Sequence, residues 1–272
     1  MFGQRLQRIL FIQKLAPEGA TTSMIKNAWI NILKPNASAR VRLFCFPYAG
    51  GGVFEYRTWA ASLPAEVEIG AVQLPGRETR LCETPLTQVR ALCAILAEAM
   101  KPYLDKPFAF FGHSLGAFIA FELIRELRRT AQPLPRKLFV SGARAPQLPS
   151  LEPPVYHLPD DELLQEVNQR YGGIPPEILQ NAEMLEMMLP MLRADFTMHD
   201  TYVYHDDLPL DCPISCFGGQ QDASTPITHL EAWRDQTRNH FALQMFGGDH
   251  FFIRSSRTLL LQAVSAHINQ IV

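Results

Sequence analysis

The five residues Gly112-His113-Ser114-Leu115-Gly116 place a nucleophile where its surroundings can activate it. They follow the apolar run Phe108 to Phe111 and open a helical pattern from Leu115 to Leu127. This is G-x-S-x-G between a strand and a helix, where the serine sits on a sharp, strained turn with its Oγ pointing outward. Glycine is needed on either side because the turn brings the two backbones too close for a Cβ. A serine hydroxyl is a weak nucleophile at neutral pH, so it needs a general base, and the base needs a carboxylate to fix its tautomer. The chemistry such a set would perform is acyl transfer through an acyl-enzyme.

In this architecture the partners follow in the order serine, acid, histidine. His229, His240, His250 and His267 come late enough to be the base. His267 falls in a C-terminal helical pattern, Leu259 to Val272, and His229 and His240 flank another, which suits surface histidines. His250 instead ends Phe246-Gly247-Gly248-Asp249-His250, in a loop just past a strand, where the base belongs. For the acid, Asp222 ends Phe217-Gly218-Gly219-Gln220-Gln221-Asp222, 28 residues before His250. Asp249 competes, but a carboxylate on the adjacent residue would struggle to reach Nδ1 of the next, so a loop-structuring role is expected for it. The tetrahedral intermediate needs two N–H donors. The expected ones are the backbone amides of Leu115, at the start of the helix, and Tyr48, which follows Pro47 in Phe46-Pro47-Tyr48-Ala49-Gly50-Gly51-Gly52. A phosphate-binding role for that loop is disfavoured, since no Lys or helix-opening Ser/Thr follows at the required spacing. Asp195, Asp200, Asp206 and Asp207 are read as solvated charge. His199-Asp200 and His205-Asp206-Asp207 lack a metal-ligand spacing, so no metal is expected.

The elements that must hold these residues are legible as apolar runs bounded by Gly and Pro: Val41 to Phe46, Ile69 to Leu74, Phe108 to Phe111, Leu138 to Ser141, Ile214 to Phe217 and Ala242 to Phe246. They are continuous rather than alternating, which suits parallel strands covered on both faces. Helical periodicity lies between several of them, as in Leu86 to Leu104, so the fold class is α/β. Between Pro146 and Pro209 no strand pattern appears. Prolines divide that stretch into helices such as Pro159 to Tyr171 and Pro175 to Phe196, and it holds Met184, Met187, Met188, Met191 and Met198, five of the chain's nine methionines. It reads as a helical subdomain with a Met-filled core and, compatibly, as a mobile lid that adapts to varied acyl groups. Residues 1–36 are a poorly patterned leader, with a second plausible start at Met24, leaving 37–272 as the catalytic domain. The apolar core of the first residues, Ile9 to Ile12, is too short for a signal peptide.

Composition removes other classes. The 272 residues are 47% apolar and 19% charged, with 25 Lys plus Arg against 27 Asp plus Glu, a net charge of −2. The chain is therefore globular, and it offers no broad attraction to nucleic acid. No stretch reaches the length of a membrane span. Cys45, Cys82, Cys93, Cys212 and Cys216 form no C-x-x-C pair and read as small hydrophobes of a reducing cytosol.

Taken together, Phe44-Cys45-Phe46-Pro47-Tyr48-Ala49-Gly50-Gly51, Gln73-Leu74-Pro75-Gly76-Arg77-Glu78, Gly112 to Ala117, Gly218 to Asp222 and Gly247-Gly248-Asp249-His250-Phe251-Phe252 resemble the type II thioesterases of nonribosomal peptide and polyketide synthesis. The resemblance covers about Asn27 to Val272. It implies an α/β-hydrolase fold with a helical lid, and hydrolysis of acyl or aminoacyl thioesters on the phosphopantetheine arm of carrier proteins, clearing misprimed or stalled groups. It places the nucleophile at Ser114, the relay at Asp222 and His250, and the oxyanion donors at Tyr48 and Leu115. No cofactor of the enzyme's own is implied, the phosphopantetheine being on the partner. Arg77 and Arg80, in the loop after the second core strand, are the residues expected to meet an acidic carrier or the arm's phosphate, although solvated surface arginines are the plainer reading. A cytoplasmic monomer is expected. A general carboxylesterase or acyl-CoA thioesterase, and an idle hydrolase-fold binding module, are the alternatives.

Overall fold

The computed structural model describes residues 28–270. Residues 1–27, most of the expected leader, lie outside the described residues. Seven strands form one sheet: β1 (Ile30–Ile32), β2 (Val41–Phe46), β3 (Val67–Val72), β4 (Phe108–His113), β5 (Lys137–Ser141), β6 (Ile214–Gly219) and β7 (Phe241–Phe246). Their order is β1-β3-β2-β4-β5-β6-β7. All neighbours are parallel except β1, which runs antiparallel to β3 with Ile30 opposite Val72. The six apolar runs thus become the six parallel strands, each within a few residues of its expected ends. β1 is a difference, because it falls within the stretch read as leader. Three residues cannot show a period, and an antiparallel edge pairing leaves little trace in composition.

The helices are α1 (Phe54–Arg57), α2 (Val89–Met100), α3 (Leu115–Arg129), α4 (Asp160–Tyr171), α5 (Pro176–Leu179), α6 (Ala182–Asp200), α7 (Ile227–Glu231), α8 (Phe252–Ser255) and α9 (Arg257–Ile268). Strand residues alternate between two buried layers. Phe44, Phe46, Phe108 and Phe110 meet Leu92 and Leu96 of α2 and Ile119 and Leu123 of α3. Leu43, Cys45, Ala109 and Phe111 point the other way, into a layer with Trp59 and with Leu260 and Val264 of α9. Continuous burial of the strands follows from this double cover.

Residues 146–209 hold α4, α5 and α6 and no strand. They have a small core of their own, in which Val155, Leu163, Leu164 and Val167 pack on Leu192 and Phe196 of α6. The methionines divide: Met191 and Met198 are buried, while Met184 and Met187 are exposed.

Candidate active site

β2 and β4 are neighbours, with Phe46 opposite Gly112, but the chain visits β3 between them. A strand order that reverses in this way leaves a crevice at the carboxyl ends of the strands. The loop from Pro47 and the turn at Ser114 open into it side by side.

Ser114 has φ +52° and ψ −121°, a conformation that L-residues avoid unless the surroundings impose it. Its flanking glycines show what imposes it. A Cβ on Gly112 would collide with the Gly116 carbonyl, and one on Gly116 with the Phe46 carbonyl. The Ser114 N–H donates to the Ser141 carbonyl at 2.8 Å, tying the elbow to β5. From Phe108 to Arg125, Ser114 alone is not buried.

Nδ1 of His250 lies 2.8 Å from Oδ2 of Asp222. The other oxygen, Oδ1, accepts from the Ser224 hydroxyl at 2.6 Å and the Ser224 N–H at 3.0 Å. Burial pushes the Asp222 carboxyl up, but hydrogen bonds and charge from His250, with the Ser224 bonds, outweigh it and hold it below its ordinary value. Asp249 is exposed and its carboxylate accepts from the Phe251 N–H at 2.9 Å, within its own loop. No hydrogen bond joins Ser114 to His250 among the described residues, although both line one cavity. Such bonds are often long before substrate arrives. Of the remaining late histidines, His240 is exposed and His267 is half-buried against Phe217 with its Nδ1 3.0 Å from the Ser215 hydroxyl, whereas His229, expected at the surface, is half-buried and shares a small cavity with Ser114 and His250.

The N–H groups of Tyr48 and Leu115 donate to no described residue. The Tyr48 side chain is fixed apart from its backbone: its hydroxyl donates to Glu55 at 3.0 Å and accepts from Arg254. Its ring meets Phe251 edge-on at 5.2 Å. His113 is fully buried, and burial first, then the nearby His250, hold its imidazole well below its ordinary pKa. A neutral His113 adds no charge beside His250.

A cavity of about 220 Å³ separates these residues from the lid. Val167, Ile178, Met188, Leu192 and Phe196 form its apolar wall, and Tyr171 places its ring 5.0 Å from that of His250. A second, narrow cavity of about 30 Å³ also reaches Ser114 and His250, between polar groups of Arg144, Ser224, Thr225 and His229.

Two expectations need correction. Arg77 and Arg80 are not at the surface, being 4% and 6% exposed. Arg80 pairs with Glu83 at 2.6 Å, donates to the Gln73 carbonyl and lies over the Trp29 ring at 3.8 Å. Arg77 pairs with Asp195 of α6 at 2.7 Å. Asp195, read as solvated, is thus 1% exposed. Asp200, read the same way, accepts from the N–H groups of Val155 and Tyr156 at 2.7 and 3.2 Å. Ser224 and the Arg77–Asp195 pair went unnoticed in the sequence. Ser224 stands two residues past Asp222, a spacing that could have marked it, whereas nothing local links positions 77 and 195.

A family model, the Thioesterase domain, matches residues 41–271. The chain belongs to the thioesterase family. It is a hydrolase acting on thioesters, with the α/β-hydrolase fold of that family. The enzyme is 44% identical over 236 residues to the gramicidin S biosynthesis protein GrsT of Aneurinibacillus migulanus, covering 87% of this chain and 92% of that protein. It is 34% identical over 241 residues to thioesterase PikA5 of Streptomyces venezuelae, covering 88% and 85%. Among solved structures it resembles the RedJ thioesterase of the prodiginine pathway in Streptomyces coelicolor, with a TM-score of 0.80 and 36% identity over 92% of this chain and 96% of that one. The resemblance drawn from five motifs is therefore borne out. Among the described residues no helix is long and apolar enough to cross a membrane.

Proposed function

We propose that this thioesterase is a stand-alone editing enzyme that removes acyl or aminoacyl groups from the phosphopantetheine arm of carrier proteins in nonribosomal peptide or polyketide synthesis, in the cytoplasm. The observation that carries the reading is the 2.8 Å contact of His250 with Asp222, His250 lining one cavity with the partly exposed Ser114. Relatives named for gramicidin S biosynthesis and for the prodiginine pathway support the setting.

In the proposed mechanism Ser114 Oγ attacks the thioester carbonyl as Nε2 of His250 takes its proton. Asp222 accepts from Nδ1–H and stabilises the imidazolium without being protonated. The N–H groups of Tyr48 and Leu115 receive the oxyanion. Collapse breaks the C–S bond, the imidazolium gives its proton to the departing sulfur, and the carrier thiol leaves. Water, deprotonated by His250, then adds to the acyl-Ser114 ester, and the second collapse returns the proton to Oγ and frees the acid. No cofactor enters these steps. The lid side of the cavity, apolar and partly lined by Met188, suits acyl chains of varied shape. With Arg77 and Arg80 buried, a carrier would have to meet other cations, such as the exposed Arg254 at the cavity.

The test is hydrolysis of a panel of acyl and aminoacyl carrier proteins beside the matching acyl-CoA and p-nitrophenyl esters. The reading expects a preference for carriers, and loss of activity and of fluorophosphonate labelling in Ser114→Ala. A preference for simple oxygen esters would replace it with a general esterase.

A further inference from the structure

The buried pair Arg77–Asp195 does more than join two charges. Arg77 lies in the loop after β3, and Asp195 lies on α6, the long lid helix. Arg77 Nη2 donates to Asp195 Oδ1 at 2.7 Å and Nη1 to Oδ2 at 2.9 Å, a two-pronged match of fork to carboxylate. Each partner also holds the glycine loop after β2. Asp195 Oδ2 accepts from the Gly50 N–H at 2.8 Å, and Arg77 Nη1 donates to the Gly51 carbonyl at 2.8 Å. The Gly51 N–H donates to the Tyr48 carbonyl at 2.8 Å, closing a turn from Tyr48 to Gly51. One ion pair therefore grips both polar directions of the turn whose first residue, Tyr48, lines the cavity.

A run of three glycines has the backbone freedom to point that N–H many ways. An oxyanion donor works only when it is aimed before the charge develops. A buried ion pair is weak evidence for stability, since apolar residues of similar volume often serve as well. Apolar residues could not, however, accept from Gly50 and donate to Gly51.

We infer that Arg77 and Asp195 are positioning residues that set the Tyr48 N–H for the oxyanion and tie its placement to the lid. The inference rests on the acyl-transfer reading of Ser114 proposed above. Helix α6 is suited to this. Pro190 interrupts its hydrogen-bond ladder, and Met191, Leu192, Asp195, Phe196 and Met198 beyond it are buried, whereas Met184 and Met187 before it are exposed. Motion of the lid before Pro190 leaves the turn intact. Motion that carries Asp195 away releases it.

The experiment compares wild type with Asp195→Asn, Arg77→Lys and the apolar double variant Arg77→Met/Asp195→Leu. It records kcat and KM on one acyl thioester, inhibition by an alkyl boronic acid that mimics the tetrahedral intermediate, and thermal unfolding. Losing an oxyanion donor costs about 100- to 1,000-fold, so misaiming one should lower kcat by about 10- to 100-fold. The double variant, which leaves the Gly50 N–H and the Gly51 carbonyl without these partners, should unfold below the wild-type temperature but stay folded at the assay temperature and show this loss, with boronate inhibition weakened in proportion and KM little changed, as for an interaction made only in the transition state. Arg77→Lys, keeping charge without the fork, should fall between. Wild-type kcat in the double variant would overturn the inference, as would a kcat loss in the three variants with boronate inhibition intact. An active Ser114→Ala, or a wild-type enzyme that the boronate does not inhibit, would instead overturn the reading beneath it.

Discussion

Asp222 has two oxygens and uses both. One holds His250, and the other is occupied by the hydroxyl and N–H of Ser224, so the carboxylate cannot swing away from the imidazole. Asp222→Asn should lower the rate by up to about 10⁴-fold, the loss known when this carboxylate is neutralised in a serine protease. Ser224→Ala removes one charge-assisted bond, worth about 1.5–3 kcal/mol, and should lower kcat by roughly 10- to 100-fold with KM nearly unchanged. Asp249→Asn should leave the rate close to wild type. A dead Asp249→Asn beside an active Asp222→Asn would reverse the assignment. The direction of the Asp222 shift also fixes a pH effect. Its folded carboxyl titrates below the ordinary 3.8, so its stabilisation is fully present above that value and is lost as pH falls through the lower, folded one. The difference in unfolding temperature between wild type and Asp222→Asn should be flat above about pH 5 and shrink below about pH 4. A difference that grew on acidification would contradict the sign.

The elbow of β4 and α3 is the element on which the rest depends, and it was the most legible. Its constraints are local: two glycines two residues from the serine, an apolar run before and a helical period after. The structure adds only what those glycines touch. Gly116→Ala would drive a methyl group into the Phe46 carbonyl, which is β2 backbone and cannot move aside as a side chain could. Overpacking of this kind costs about 1–3 kcal/mol, and a displacement of Ser114 by about 1 Å costs on the order of 100-fold in rate. Calorimetry and turnover of this variant should show both losses, and wild-type values in both would mean that the close approach is not needed. The lid was legible only as a region. Its prolines marked the helix breaks, but the roles of Asp195 and Asp200 depend on partners at positions 77, 50 and 155 that no periodicity links to them. Charge near a helix end reads as solvated when its partner is a hundred residues away. Arg77 and Arg80 failed for the same reason, since a loop at the carboxyl edge of the sheet looks like surface until the lid and Trp29 are laid over it.

At the scale of the whole molecule, the far edge of the sheet is joined to the active site through the loop after β3. The Trp29 carbonyl accepts from the Gln73 N–H at 2.8 Å, and Asn31 Nδ2 donates to the Gln73 side chain at 2.6 Å. Trp29 also covers Arg80, which donates to the Gln73 carbonyl at 2.8 Å. Arg77 leaves the middle of that loop for Asp195 and the glycine turn. β1 is therefore a support for the loop that holds Arg77, although it supplies no residue to the cavity. A chain beginning at Met24 keeps β1, and one beginning after Asn36 loses it, along with the buried Ile30. Removing that side chain and its ladder should cost about 2–4 kcal/mol, or roughly 5–15 °C in unfolding temperature for a domain of this size. The shorter chain should also lose kcat several-fold with KM little changed, because, on the reading proposed above, what is disturbed is the aim of the Tyr48 N–H and not the apolar wall of the cavity. Equal kcat in the two chains, despite a lower unfolding temperature in the shorter, would confine β1 to stability and break the proposed link from the sheet edge to the glycine turn.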